Sequence, residues 1–231
     1  MNLDGTDREY RVLKMDGNVG KIMGMWKSLT SKYNDSQDTN TTTMGTLTIQ
    51  KYEDSTLDTY LNTWYNTLST EAKNAIVPEN IICDAWHYSD SSSINENPGN
   101  PAYTGTYGNS TIGTINYRVG KYTGGILNIG SRNIFALGVQ DIIDYLSDES
   151  MRVDTNVILK NVNIWKMFWN DEIKHSGESF WLKSVNADTK NGGWYVSGYS
   201  GGLGVSTVDM SYSVNPAFNI DLSKIEWSTT T

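Results

Sequence analysis

The clearest structural signal in the chain is a single amphipathic stretch, residues 54–76, set among short apolar runs broken by turn formers. Leu57, Leu61, Trp64, Tyr65 and Leu68 recur at helical spacing. Ser55 with Asp58 resembles a capping box, in which side-chain oxygens satisfy the first free backbone N–H groups of a helix. Ser69 restarts a second short helix that must stop before Pro78, because proline disfavours helix in the residue before it. Residues 133–147 (NIFALGVQDIIDYLS) read as a short strand and then a helix, with Val139, Ile142, Ile143 and Leu146 on one face.

The rest is mostly β-like. In YRVLKMDGNVGKIMGMW (10–26), Asp16-Gly17 between two largely apolar runs is a hairpin signal, because glycine accepts the positive φ of a tight turn. The last fifty residues alternate short apolar runs (FWLKS, WYVSG, VSTVDM, SVNPAFNIDL) with turns, and Gly201, Gly202 and Gly204 read as a turn between strands. Residues 27–46 and 86–116, rich in Ser, Thr, Asn, Asp and Gly, read as long inserted loops. Residues 157–170 fit either strand or helix. No internal repeat or linker interrupts the chain, so residues 1–231 are read as one α+β domain.

Composition narrows the function. With 18 Lys+Arg against 26 Asp+Glu the net charge is −8, which argues against nucleic acid, whose phosphates need clustered cations. No run approaches the ~20 apolar residues of a membrane-spanning helix. The start, MNLDGTDREY, lacks the apolar core of a secretory signal. Cys83 is the only cysteine, so no internal disulfide staples the fold. There are 23 Asn, 23 Ser and 24 Thr, and 14 Tyr and 8 Trp against 4 Phe. Such a surface offers contact area and adaptable hydrogen bonds, the chemistry of recognition outside a cell or on a virion.

Four blocks carry a resemblance to a known family. Tyr10-Arg11-Val12-Leu13 with Asp16-Gly17-Asn18 resembles a "W-R-V-L…D-G-N" hairpin, and Ser55 to Ser69 a helix "S-D-L-R-x-W-L-N-x-x-F-Y-x-x-L-S". Ile134 to Leu146 is similar to "I-F-L-L-S-x-x-E-x-x-x-Y-F". Trp181-Leu182-Lys183-Ser184 and Ser213-Val214-Asn215-Pro216-Ala217-Phe218 resemble the paired signatures "W-L-R-S" and "G-V-R-P-A-L", with Lys183 and Asn215 in place of arginines. In this order, over roughly residues 8 to 225, they resemble an uncharacterised C-type-lectin-like domain family of Gram-positive bacteria and their phages. That family shares its fold with the formylglycine-generating (sulfatase-modifying) enzymes. The resemblance implies a C-type-lectin-like fold, with two helices packed on twisted, mainly antiparallel sheets.

It also frames the candidate sites. The sulfatase-modifying relatives oxidise a cysteine with a copper-binding cysteine pair. Cys83 alone cannot supply that pair, and it reads as a small buried residue. Trp169-Asn170-Asp171 spells the "W-N-D" of calcium-dependent sugar-binding lectins, which makes Asn170 and Asp171 weak candidates for calcium ligands, with no metal site assigned; no "E-P-N" or "Q-P-D" partner accompanies them. Apart from this calcium option no cofactor is expected. His87 and His175 lack metal-binding spacing and read as solvated loop residues. Asp141, Asp144, Asp148 and Glu149 read as a solvated acidic helix face, and no catalytic residue is assigned. In C-type-lectin-like folds the C-terminal hairpin and its loops form the ligand face. Here that face offers Trp194, Tyr195, Tyr199 and Tyr212 among Gly and Ser, with period-2 alternation turning either Trp194 or Tyr195 inward. The 86–116 loop adds Tyr103 and Tyr107.

The expected function is therefore recognition without catalysis, by a phage or prophage virion- or tail-associated protein that binds a host-surface glycan or protein. A structural virion assembly or decoration subunit is the alternative, and a sulfatase-modifying-like enzyme stands behind both. The expected partners are the host-surface ligand or another virion protein, with homo-oligomers compatible and neither nucleic acid nor membrane insertion involved. The expected location is the virion or the extracellular space.

Overall fold

The hairpin signal near the N-terminus forms β1 (Tyr10–Asp16) and β2 (Val19–Gly24), joined by Gly17 and Asn18, one residue later than the Asp16-Gly17 reading. Gly17 takes φ +57°, so the two-residue turn carries its positive φ on glycine, where no Cβ resists it. The computed structural model describes residues 3–6, 8–24, 29–90, 117–122, 124–146, 178–197 and 203–225. Tyr103, Tyr107, Asn170, Asp171, His175 and Tyr199, most of the 86–116 loop and the 157–170 segment lie outside them.

The amphipathic stretch is α1 (Thr56–Thr67), capped by Ser55, whose hydroxyl accepts from the Asp58 backbone N–H. It buries Leu57, Leu61 and Trp64. Ser69 caps α2 (Thr70–Ala75) in the same way, accepting from Ala72 N–H, and the chain turns extended at β6 (Ile76–Val77) before Pro78. The third helix, α3 (Val139–Leu146), is as expected, but the short strand expected before it reduces to a single antiparallel bridge, Phe135 to Ala217.

The remaining strands are β3 (Thr30–Lys32), β4 (Thr41–Met44), β5 (Leu47–Gln50), β7 (Glu79–Cys83), β8 (Ala85–Asp90), β9 (Tyr117–Lys121) and β10 (Leu127–Arg132). Near the C-terminus come β11 (Phe180–Asn186), β12 (Gly192–Val196), β13 (Leu203–Thr207), β14 (Ser211–Ser213) and β15 (Ala217–Asp221). One antiparallel sheet runs β1-β2-β15-β6, so the last strand closes against the first hairpin. A larger sheet runs β13-β12-β11-β14-β3, with β8 also pairing β11 and β9 pairing β8. Its β11–β14 and β11–β8 pairings are parallel. The architecture is α+β, as expected.

Three loop readings are corrected. Residues 27–46 hold β3 and β4, residues 86–90 at the start of the 86–116 loop belong to β8, and Gly204 lies within β13 rather than in a turn. The Thr-rich strand TTTM has no apolar alternation to announce it; it is paired by β5 across a turn at Gly45, φ +58°.

The four family-like blocks converge in the core. Phe218 packs edge-on against Tyr10 (5.9 Å between ring centroids, 83°) and against Trp64 of α1 (6.2 Å). Phe135 and Ala217 exchange both backbone hydrogen bonds, at 2.9 and 2.8 Å. The Lys183 N–H donates to Leu137 O at 2.8 Å. Segments far apart in sequence thus share one buried centre, whose apolar side chains each contribute roughly 1.5–3 kcal/mol on leaving water.

Candidate functional site

Strands β12, β13 and β14 bring two of the expected aromatics together. Tyr195 sits opposite Trp181 on one neighbouring strand and opposite Gly204 on the other. Its ring lies 4.8 Å from that of Tyr212, tilted by 34°. Beside them, Trp181 is 4.7 Å from Tyr212 and 6.3 Å from Tyr195. Trp181 is 1% exposed and is itself held edge-on by buried Tyr33 at 5.7 Å. Its indole N–H donates to Ser31 O at 3.1 Å. Tyr195 and Tyr212 are half-buried, so the arrangement is a shelf: two stacked, partly open rings packed beside a buried tryptophan. The Tyr212 hydroxyl donates to Ser206 Oγ at 3.1 Å, which puts polar groups on the rim.

Trp194 is a correction. Expected among the aromatics offered to a ligand, it has 0% exposure, and its indole N–H donates to Trp86 O at 3.3 Å. Alternation along β12 sends Trp194 to one face and Tyr195 to the other, and the face of Trp194 is core.

The turn joining β13 to β14 is acidic. Hydrogen bonds from Thr207 and Gln37 hold the Asp209 carboxyl below its usual range, with attraction from Lys32 adding to them. Both Asp209 oxygens accept from Gln37 Nε2 at 3.2 Å.

A second constellation, unread in the sequence, lies where α3 meets β11. The Lys183 ammonium pairs with the Asp141 carboxylate, which also accepts from Gly138 N–H at 2.7 Å. Ser184 Oγ accepts from Val139 N–H (2.9 Å) and donates to Asp84 Oδ1 (2.5 Å). Lys121 lies 3.4 Å from the other Asp84 oxygen. Burial pushes the Asp141 carboxyl up, but Lys183, Gly138 N–H and Lys21 together hold it below the usual carboxylate range. Asp141 is therefore an anchor of α3 and does not belong to a solvated acidic face. One signal was present in the sequence: the resembling blocks carry glutamate and arginine where Asp141 and Lys183 stand.

Cys83 is buried, as expected of a small residue in an apolar run. Its thiol donates to Lys183 O at 3.1 Å, and burial pushes its pKa up, away from the reactive thiolate. His87 departs from the solvated reading: it is 6% exposed, with Nδ1 2.6 Å from Asp188 Oδ1. Among the described residues no group of three or more His, Cys, Asp or Glu is placed to hold a metal ion. Nor is any helix there long and apolar enough to cross a membrane.

The family model described as Domain of unknown function (DUF6273) matches residues 29–222. No curated protein and no solved structure matches the chain.

Proposed function

The chain belongs to the DUF6273 family, and on that premise we propose that it is a non-enzymatic recognition module of C-type-lectin-like fold. Its ligand is a host-surface glycan, bound on the Tyr195–Tyr212 shelf, and its setting is a phage or prophage virion or tail. The observation that carries this reading is the shelf itself, two half-buried tyrosines 4.8 Å apart beside a buried tryptophan. Tyrosine rings fixed on a sheet give contact area at little cost in side-chain entropy. The lectin-like fold is supported by the way the four sequence blocks fall on β1–β2, α1, α3 and the β11/β15 core.

The test is binding of the protein to a glycan array and to whole Gram-positive cells, compared with Tyr195→Ala and Tyr212→Ala. Both variants are expected to lose binding while keeping a cooperative thermal transition. Wild-type binding by both would remove the shelf from the function. Retention of cell binding after protease treatment of the cells is expected; its loss would point to a protein ligand instead.

A further inference from the structure

Asp-Gly occurs twice in the chain, at Asp4-Gly5 and Asp16-Gly17. In such a pair the aspartate is open to attack by the next backbone nitrogen, because glycine brings no side chain to shield it. The two pairs are held in opposite ways. The Asp4 carboxylate is bound on both oxygens. Its Oδ1 accepts from the Thr6 N–H at 3.2 Å and from Arg8 Nε at 3.3 Å. Its Oδ2 accepts from Arg8 Nε at 3.0 Å and from the Trp64 indole N–H at 3.3 Å. Asp16 is exposed where β1 enters its turn, and among the described residues no hydrogen bond or ion pair holds its carboxylate.

The turn leaves the nitrogen free as well. Asp16 and Val19 are the pair that closes the hairpin, so the N–H of the first turn residue, Gly17, lies outside the ladder. Gly17 is exposed, and a Cβ built on it meets nothing within 4 Å. Electrophile and nucleophile therefore sit on adjacent residues, with neither tied to a partner and neither crowded.

We propose that Asp16-Gly17 is a site of spontaneous covalent modification, where Asp16 converts to isoaspartate while Asp4 is protected. The Gly17 nitrogen attacks Cγ of the protonated Asp16 carboxyl. The N–Cγ bond forms, the amide proton and the carboxyl hydroxyl leave as water, and a cyclic imide results. Water then opens the imide. Cleavage at Cγ restores aspartate, whereas cleavage at the main-chain carbonyl leaves Gly17 joined through the side chain, which is isoaspartate. Nothing is oxidised or reduced, and the mass is unchanged. At Asp4 the bonds to Thr6, Arg8 and Trp64 must break before the carboxyl can turn onto the Gly5 nitrogen. Isoaspartate adds a methylene to the main chain, and in a two-residue turn this shifts β1 against β2. The Asn18 carbonyl, which accepts from the Leu222 N–H at 2.9 Å, moves with the turn, so the end of β15 loosens. The proposal uses no shelf residue and stands apart from the recognition reading.

The experiment is incubation of the full chain, folded and in guanidinium chloride, in mildly acidic buffer. Isoaspartate is then labelled with protein isoaspartyl methyltransferase and located with a protease that cuts before aspartate. In the folded chain the cut between Met15 and Asp16 is expected to disappear, in a peptide of unchanged mass, at least several-fold faster than the cut before Asp4. Asp16→Glu should abolish the label at this position, because the longer side chain disfavours ring closure. Arg8→Gln should raise conversion at Asp4. The converted form, separated by chromatography, is expected to show a lower Tm and faster amide exchange at Leu222. Absence of the label from residue 16 of the folded chain, whether or not the denatured chain acquires it, overturns the proposal. Equal conversion at the two pairs, or no rise at Asp4 with Arg8→Gln, overturns the protection assigned to Asp4. Unchanged Tm and exchange in the converted form overturn the effect on the hairpin.

Discussion

The α3–β11 junction and the Tyr195–Tyr212 shelf share strand β11 but are built on opposite terms. At the junction the polar groups of Lys183, Asp141, Ser184 and Asp84 meet partners within the protein. At the shelf the aromatic surface is supported from one side by Trp181 and left partly open. The difference separates what a fold needs from what a ligand needs. A buried polar junction specifies how a helix docks, because any other docking leaves charges without partners. An aromatic shelf contributes less to specifying the fold and keeps contact area in reserve.

Four measurements sharpen or break that contrast. Trp194→Ala is expected to have the largest effect, a loss of about 3–5 kcal/mol in chemical denaturation, since it empties a fully buried site on the other side of the shelf strand. A cost near that of a surface substitution would mean that β12 is not a core strand. Lys183→Ala should cost about 3 kcal/mol by leaving the Asp141 carboxylate without its ammonium. The double variant Lys183→Ala/Asp141→Ala should then be less damaged than the two single losses added together, and strict additivity would show that the pair is not coupled.

Acid provides the third measurement. The Asp141 carboxyl titrates lower in the folded protein than in the unfolded chain. Its contribution is therefore fully present above the unfolded value of about 4 and fades as the pH falls through the folded value. Tm measured from pH 6 down to pH 2 should drop more steeply for the wild type than for Asp141→Asn, and parallel curves would refute the assignment. The smallest effect is expected at the shelf. Tyr212→Phe removes only the rim hydrogen bond to Ser206 and should change stability by no more than about 1 kcal/mol. A loss as large as that of Lys183→Ala would mean that the shelf belongs to the structural core.

The legible regions of the chain were those whose cause is local. Ser55 and Ser69 announced two helix starts because a cap acts within three residues of itself. Gly17 announced the hairpin for the same reason, although the turn falls one residue later than the Asp-Gly pair suggested. Strands β3 and β4 were hidden because their residues are neutral-polar and, in the case of β3, because the pairing partner is β14 near the far end of the chain. Of the aromatics proposed for a ligand, Tyr195 and Tyr212 are brought together. Trp194, beside Tyr195 in the chain, is the one that alternation turned inward.

The sequence by itself determined where helices begin and end, which strand positions alternate, and that hydroxyl and aromatic groups dominate over charge. These follow from backbone sterics, capping and hydrophobic period, each acting over a few residues. Only the tertiary structure decided which side of β12 faces the core, that Asp141 meets Lys183 42 residues away, and that Gly204 lies beneath a tyrosine. The physical reason is that alternation gives two faces without saying which is buried. That choice is made by distant segments when they pack.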